Sequence, residues 1–240
     1  MKRTLVIVPT FNERENLPAL VGLLMAQPDV SALVVDDQSP DGTGGIADAL
    51  ALRHPGRLEV MHRTERPGLG RSYIDGMAHV LGRDVDVICQ MDADLSHDPR
   101  HLPDLVAATE HADVVIGSRY VPGGAIVNWP KRRQLLSRFA NQYIRAVTRL
   151  SAHDCTSGYR CWRREALTAL RLDGFTSEGY SYLVEMLFVA ERAGCRIAEV
   201  PITFVERRLG ESKLSARVLF ESAITPWRLI ATKASGREGR

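Results

Sequence analysis

No stretch of this chain is apolar for long enough to span a bilayer, which takes about 20 consecutive residues. The N-terminus, MKRTLVIVPTFNE, begins with basic residues, but Pro9 and the polar residues after it cut the apolar run too short for a signal peptide. Cysteine is scarce. Cys89, Cys155, Cys161 and Cys195 show no metal-ligand spacing, and without an export signal they read as reduced thiols of a cytosolic protein. An excess of one charge is lacking too: 31 basic and 29 acidic residues leave a net charge of +2, which argues neither for nor against nucleic acid. There is no Gly-x-x-x-x-Gly-Lys-Ser/Thr phosphate loop, no Gly-x-Ser-x-Gly elbow and no His-Glu-x-x-His, and GLGRS at 68–72 is too weak for a dinucleotide loop. P-loop phosphoryl transfer, serine-hydrolase chemistry and zinc ligation are therefore disfavoured. Internal repeats and low-complexity segments are also absent.

What is present suits a folded α/β protein. An apolar fraction of 45% over 240 residues supports a substantial core, and a charged fraction of 25% is ordinary for globular chains. β-Branched apolar runs at 4–10, 32–37, 58–63, 85–92 and 113–119 alternate with helix-like patterns. Such alternation predicts parallel βαβ units covered on both faces, with ligands collecting beyond the carboxyl ends of the strands. Pro9-Thr10-Phe11-Asn12-Glu13, Asp36-Asp37, Asp92 with Asp94, and Arg119 all fall at those ends. In an extended backbone, residues i and i+2 share a face, so the charges of Asp92 and Asp94 would repel. A divalent cation such as Mg²⁺ or Mn²⁺ would relieve that repulsion. A solvated strand end is the other reading of an isolated Asp-x-Asp.

Composition shifts near residue 120. YVPGGAIVNWP reads as a Gly/Pro loop, and KRRQLLSRFANQYIRAVTRL, residues 131–150, as an amphipathic helix. Its apolar residues fall at 135, 136, 139, 140, 143, 144, 147 and 150. Lys131, Arg132, Arg133, Arg138, Arg145 and Arg149 add six positive charges with no acid between them. Residues 179–194 read as a core helix ended by glycine, 195–208 as a strand, and 215–234 as a second amphipathic segment kinked or broken at Pro226. The expected plan is a catalytic sheet domain over 1–215, including helix 131–150, followed by an amphipathic, basic tail over 216–240.

Six motifs occur in order: VPTFNERENLP (8–18), VVDDQSPDGT (34–43), MDADLSHDP (91–99), GSRYVPGG (117–124), SGYRCWRREAL (157–167) and FVERRLGESKLS (204–215). Together they resemble the dolichol- or polyprenol-phosphate mannosyltransferases among the family-two glycosyltransferases, over roughly residues 4–215. The resemblance implies a GT-A fold, a Rossmann-like nucleotide-sugar binding sheet, here with amphipathic interfacial helices. It implies that Pro9, Phe11 and Glu13 frame the base and ribose, and that Val35 and Asp37 lie beside the base. Phe11 lacks the hydroxyl of the tyrosine that many relatives carry there. Asp92, Ala93 and Asp94 match the motif that binds ribose and the metal, Mg²⁺ or Mn²⁺, bridging the diphosphate. Ser96 stands where some relatives have a metal-binding Gln, and is at most a weak ligand or water contact. Arg207 and Lys213 match donor-diphosphate contacts, while Arg119 and Arg133, with Ser137 one turn further on, suit phosphate clamping. Each arginine taken alone reads as a surface cation; the motif context reverses that.

The implied reaction is inverting transfer of mannose from GDP-mannose to polyprenyl phosphate, giving polyprenyl-phosphate mannose and GDP, on the cytosolic face of a membrane. A phosphate monoester, with a second pKa near 6, is already anionic at neutral pH, so no general base is required. Asp154 could orient the acceptor, stabilise oxocarbenium character or cap the segment after it. His97 and His101 read as plain polar loop residues. A UDP-sugar donor is the nearest alternative, and a non-catalytic nucleotide-sugar sensor docking a membrane protein a more distant one. With no span in the sequence, an integral-membrane partner protein is conceivable. Nucleic acid is not expected, because the apolar stripe of 131–149 suits lipid or a partner helix better than a duplex.

Overall fold

All seven residues of Thr4–Thr10 are buried, as a strand covered on both faces requires. They form β1 in a computed structural model that describes residues 2–175, 177, 179, 181–206 and 223–231. The other strands are β2 (Val30–Asp36), β3 (Leu58–His62), β4 (Val87–Gln90), β5 (Val114–Ser118), β6 (Ala125–Val127), β7 (Arg160–Arg163), β8 (Ile197–Pro201) and β9 (Thr203–Val205). The main sheet has seven strands in the order β3-β2-β1-β4-β7-β5-β8, and β6 pairs with β9 in a parallel ribbon beside it. The expected α/β class and central, mainly parallel sheet are therefore present. The helices are α1 (Leu17–Met25), α2 (Thr43–Arg53), α3 (Leu69–Val80), α4 (Leu102–Ala108), α5 (Lys131–Thr148), α6 (Arg164–Ala169) and α7 (Ser181–Arg192). Residues 223–231 form a further helical stretch.

Alternate residues of the strands feed two cores. Val6, Val8, Val34 and Cys89 pack with α1, α2 and α4, whereas Ile7, Leu33, Val35 and Ile88 pack with α3 and α7. Gly76 lets α3 settle closely on the sheet, since a Cβ there would stand 2.9 Å from Ile7 Cγ2. A third cluster joins Ile144 of α5 to Leu187 and Phe188 of α7 and to Leu229. Strand order reverses between β1 and β4, and a crevice at such a switch point is where open α/β sheets bind ligands.

Four expectations need correction. The single strand over 195–208 is two, because Pro201 ends β8 and buried Ile202 separates it from β9. The Gly/Pro loop near 120 contains β6, which finds its partner β9 far along the chain. β7 lies antiparallel between β4 and β5 in an otherwise parallel sheet. Its register sets Cys89 opposite Cys161, 4.2 Å apart at Cα, and the two are joined as a disulfide. Only Cys155 and Cys195 are free thiols. Spacing could not show this, since 72 residues separate the bonded pair. The boundary expected at 215/216 falls outside the described residues, but 223–231 packs on α5: Tyr143 Oη donates to the Ala223 carbonyl at 2.7 Å and accepts from Trp227 Nε1 at 2.8 Å.

Candidate active site

β4 ends at Gln90, so Asp92 and Asp94 occupy the turn that follows it, not two same-face positions of an extended strand. Leu95, at φ 61°, closes the turn, and the Ser96 N–H donates to Asp94 Oδ1 at 3.0 Å. Ser96 is thus a backbone anchor of the motif. Tyr73 Oη, from α3, donates to Asp92 Oδ1 at 3.0 Å. Burial, then the charge of Asp92, push the Tyr73 hydroxyl well above its ordinary pKa, so it remains a donor. The Asp92 N–H donates to His97 Nδ1 at 3.2 Å, which leaves the ring proton on Nε2. His97 is buried between the rings of Tyr159 and Phe204. It forms the floor of the acidic turn and is not the plain polar residue expected; His101 does behave structurally, its Nε2 accepting from the Thr203 N–H at 3.2 Å.

No group of three or more His, Cys, Asp or Glu side chains suited to a metal occurs among the described residues. Two carboxylates on one turn instead fit a cation that completes its oxygen shell from a diphosphate and water, as Mg²⁺ commonly does. Asp92 and Asp94 would hold such an ion.

Both carboxylates line a cavity of about 420 Å³ together with Arg119, Arg133 and Ser137. The site residues expected from distant segments therefore converge. Arg119 does not present an open fork. Its Nε and Nη2 donate to the two oxygens of Asp154 at 2.8 and 2.7 Å, its backbone N–H to the same carboxylate at 3.0 Å. Burial would raise the pKa of Asp154, but the charge and hydrogen bonds of Arg119 hold it below the ordinary value. Asp154 is fully buried. It fixes Arg119 and neither faces the cavity nor caps a helix. Arg133 stacks on Trp129, its guanidinium carbon 4.0 Å from the ring centre, and pairs with Glu206 at 2.6 Å. Its Nε is buried without a hydrogen-bond partner among the described residues. Ser137 Oγ accepts from Tyr120 Oη at 2.7 Å. Asn141 ties this helix to the loop before β7, donating to the Ser137 carbonyl at 3.0 Å and accepting from the Cys155 N–H at 2.8 Å.

The nucleotide-side residues lie at the neighbouring ends of β1 and β2. Phe11 is 37% exposed and offers a stacking face. Glu13 accepts from Asn16 Nδ2 at 2.8 Å. Asp37 is buried, paired with Arg63 and accepting from the Gly68 N–H at 2.7 Å, so it also anchors the loop that opens α3. Val35 is fully buried against α3, and Pro9 is buried in β1; neither presents a side-chain surface to a base. Ala93 packs into the core. Arg207 and Lys213 lie outside the described residues.

The same cavity also has apolar lining: Leu136, Phe139, Ala140 and Tyr143 of α5 with Val184, and Phe204, whose ring meets His97 and Arg119. The stripe of α5 divides in two. Ile144 is buried, whereas Leu135, Leu136 and Phe139 are 65%, 55% and 66% exposed, and Ile224, Trp227 and Ile230 are exposed on the helical stretch beside it. No helix among the described residues is long and apolar enough to cross a membrane. Neither do the six cations of α5 and its end share one place: Arg133 lines the cavity of the acidic turn, and Arg138 and Arg145 line a second one.

Sequence reasoning gave no role to Tyr73, Trp129, Asn141, Glu206 or Thr156, which accepts from Arg119 Nη2 at 2.9 Å, and read His97 as a plain polar residue. Trp129, Asn141, His97 and Glu206 lie within segments it singled out, but hydrogen bonds between distant segments leave no spacing to read.

The profile of glycosyl transferase family 2 matches residues 5–171. A polyprenol monophosphomannose synthase of Mycolicibacterium smegmatis is 50% identical over 92% of this chain and 84% of its own length. An undecaprenyl-phosphate mannosyltransferase of Micrococcus luteus is 49% identical over 95% of both chains. Among solved structures, glucosyl-3-phosphoglycerate synthase of Mycobacterium tuberculosis, in complex with Mn²⁺, UDP and glucosyl-3-phosphoglycerate, is similar over 98% of this chain and 79% of that one, with a TM-score of 0.66 and 21% identity. At that identity the likeness concerns the fold.

Proposed function

Because the chain belongs to glycosyl transferase family 2 and is a glycosyltransferase of GT-A fold, we propose that it transfers mannose from GDP-mannose to a polyprenyl phosphate at a membrane surface, with inversion. One observation carries this: a single cavity is lined both by two carboxylates and two arginines and by apolar side chains of α5, among them exposed Leu136 and Phe139. A substrate with an anionic head and a long hydrocarbon tail has that polarity. The names of the two mannosyltransferases support the lipid-phosphate acceptor and the sugar.

The donor diphosphate lies over the Asp92–Asp94 turn, with Phe11 stacking on the base. A divalent ion there, Mg²⁺ or Mn²⁺, supplies electrostatic stabilisation of the departing diphosphate. Arg133, incompletely satisfied at Nε, takes the acceptor phosphate, and Ser137 adds a hydroxyl. Arg119, held rigid by Asp154, presents positive charge between the two anions. A phosphate oxygen attacks the anomeric carbon as the bond to the diphosphate breaks. The electron pair leaves with GDP, and no proton need be removed. Arg207 and Lys213 complete the donor side in the proposed scheme. Exposed Leu135, Leu136 and Phe139, with Trp227 nearby, dock the open end of the cavity on the acyl boundary. No observation calls for a membrane subunit.

A transfer assay decides the substrates: labelled GDP-mannose, UDP-glucose and other nucleotide sugars, each offered with one polyprenyl phosphate and Mg²⁺ or Mn²⁺. GDP-mannose should give the dominant lipid-linked product. Dominant transfer from a UDP-sugar would replace the donor, and absence of transfer from every donor would overturn the catalytic proposal.

A further inference from the structure

α5 lines two cavities of different chemistry, which share Arg119 where they adjoin. Leu136, Phe139, Ala140 and Tyr143 face the catalytic cavity, whereas Arg138, Asn141, Gln142 and Arg145, spaced i, i+3, i+4 and i+7, face a second one of about 570 Å³. Its far wall is the loop after β5, with Tyr120, and His153. Among the described residues no carboxylate lines it. Two acids beside His153 are engaged elsewhere. Asp154 holds Arg119, and Glu199 accepts from His153 Nδ1 at 2.9 Å and from the backbone N–H groups of His153 and Asp154 at 2.7 and 2.9 Å. Arg138 and Arg145 have no ion-pair partner among the described residues, and Arg145 Nε is buried with no hydrogen-bond partner. Seven residues of helix set the two guanidinium-bearing positions about 10 Å apart along the axis.

Two guanidinium-bearing residues without a described ion-pair partner, exposed Arg138 and half-buried Arg145, therefore stand on one wall of an open, largely polar cleft. We infer that this cavity binds a phosphate-bearing group of head-group size, independently of the acceptor phosphate in the catalytic cavity. Forked guanidiniums match phosphate oxygens, and the volume lies in the range of small-molecule sites, larger than a bare phosphate needs. Arg138 lies within one turn of exposed Leu135 and Phe139. The mouth of the cavity thus adjoins the proposed docking surface, and the ligand that location favours is the head group of an anionic phospholipid. Only the choice of lipid as the source rests on the docking proposal; the anion site does not.

The test uses the full chain saturated with GDP and Mg²⁺, in an Arg133→Ala background that weakens the catalytic phosphate position. Glycerol 3-phosphate and inorganic phosphate are titrated calorimetrically, and flotation is measured on vesicles of phosphatidylglycerol and of phosphatidylcholine. Binding of the soluble probes should match that of the unmodified chain in the Arg133→Ala background and weaken at least tenfold when Arg138→Gln and Arg145→Gln are added. Arg138→Gln alone, at an exposed position that cannot disturb folding, should weaken it at least threefold. Flotation on phosphatidylglycerol that falls in the same variants, with phosphatidylcholine unaffected, identifies the lipid head group. Unchanged flotation with lost soluble-probe binding identifies a free phosphate as the ligand of the same site. Probe affinities that ignore Arg138 and Arg145, or that vanish with Arg133→Ala alone, would overturn the inference.

Discussion

At the scale of single residues, the most informative change is in Asp154. Its sequence context allowed a role toward the acceptor or a cap for the segment after it, but it is fully buried and spends both oxygens on Arg119. Asp154→Asn should therefore leave a buried guanidinium without its counter-charge and destabilise the fold by about 3–5 kcal/mol, read by urea denaturation. Because its folded pKa is lowered, the stabilisation from Asp154 is fully present above the unfolded aspartate value, near pH 4, and is lost as pH falls through the folded value. The variant should lack that acid-range contribution. Transfer should also fall, but the acid limb of its pH profile should stay in place; loss of that limb would mark Asp154 as a base. Glu206 gives a change in the opposite direction. It holds Arg133 at 2.6 Å, so an incoming acceptor phosphate must compete with a carboxylate. Glu206→Gln should lower the KM for polyprenyl phosphate several-fold with kcat little changed, and a raised KM would show that the pair positions Arg133 instead. Arg119, inside GSRYVPGG, and Arg133, in the basic helix of 131–150, were singled out from the sequence. Their pairing was not legible, because Asp154 and Glu206 reach them across 35 and 73 residues of chain.

At the scale of elements, β1 to β5 and the helices between them could be read directly, since each buries a regular apolar pattern against both faces of one sheet. Elements defined by their neighbours could not. β6 has three residues and exists because β9 runs beside it, and β7 is antiparallel because it inserts between β4 and β5. The stripe of α5 was legible as a pattern, but not its division into a packed end and an open end. That division selects the right variant. Tyr143 bonds both Ala223 and Trp227, so replacing it would confuse folding with docking. Leu135→Ser, Leu136→Ser and Phe139→Ser combined should keep the native circular dichroism spectrum and melting temperature within a few degrees. Vesicle flotation should fall by an order of magnitude or more, since each large apolar side chain contributes about 1.5–3 kcal/mol when fully buried. Loss of folding in this triple variant would assign the stripe to packing.

At the scale of the whole molecule, the site belongs to no single element. The acidic turn follows β4, its supporting tyrosine comes from α3, the stacking ring follows β1, and the arginines come from the end of β5 and from α5. A sheet with its strand-order reversal at β1 and β4 gathers these ends on one rim, and that much followed from the alternation of strands and helices alone. A ligand spanning the rim must then stabilise the native chain as a unit, because unfolding any of these elements releases it. GDP with Mg²⁺ at 100 times its dissociation constant should raise the unfolding free energy by about 2.7 kcal/mol. Calorimetry should show the melting temperature climbing with GDP concentration when metal is present and much less in EDTA. In Asp94→Asn the metal-dependent part of the shift should disappear, leaving only the rise that GDP gives without metal. An undiminished shift in EDTA would mean that the diphosphate is held by arginines alone and that the two aspartates serve the ribose, not an ion.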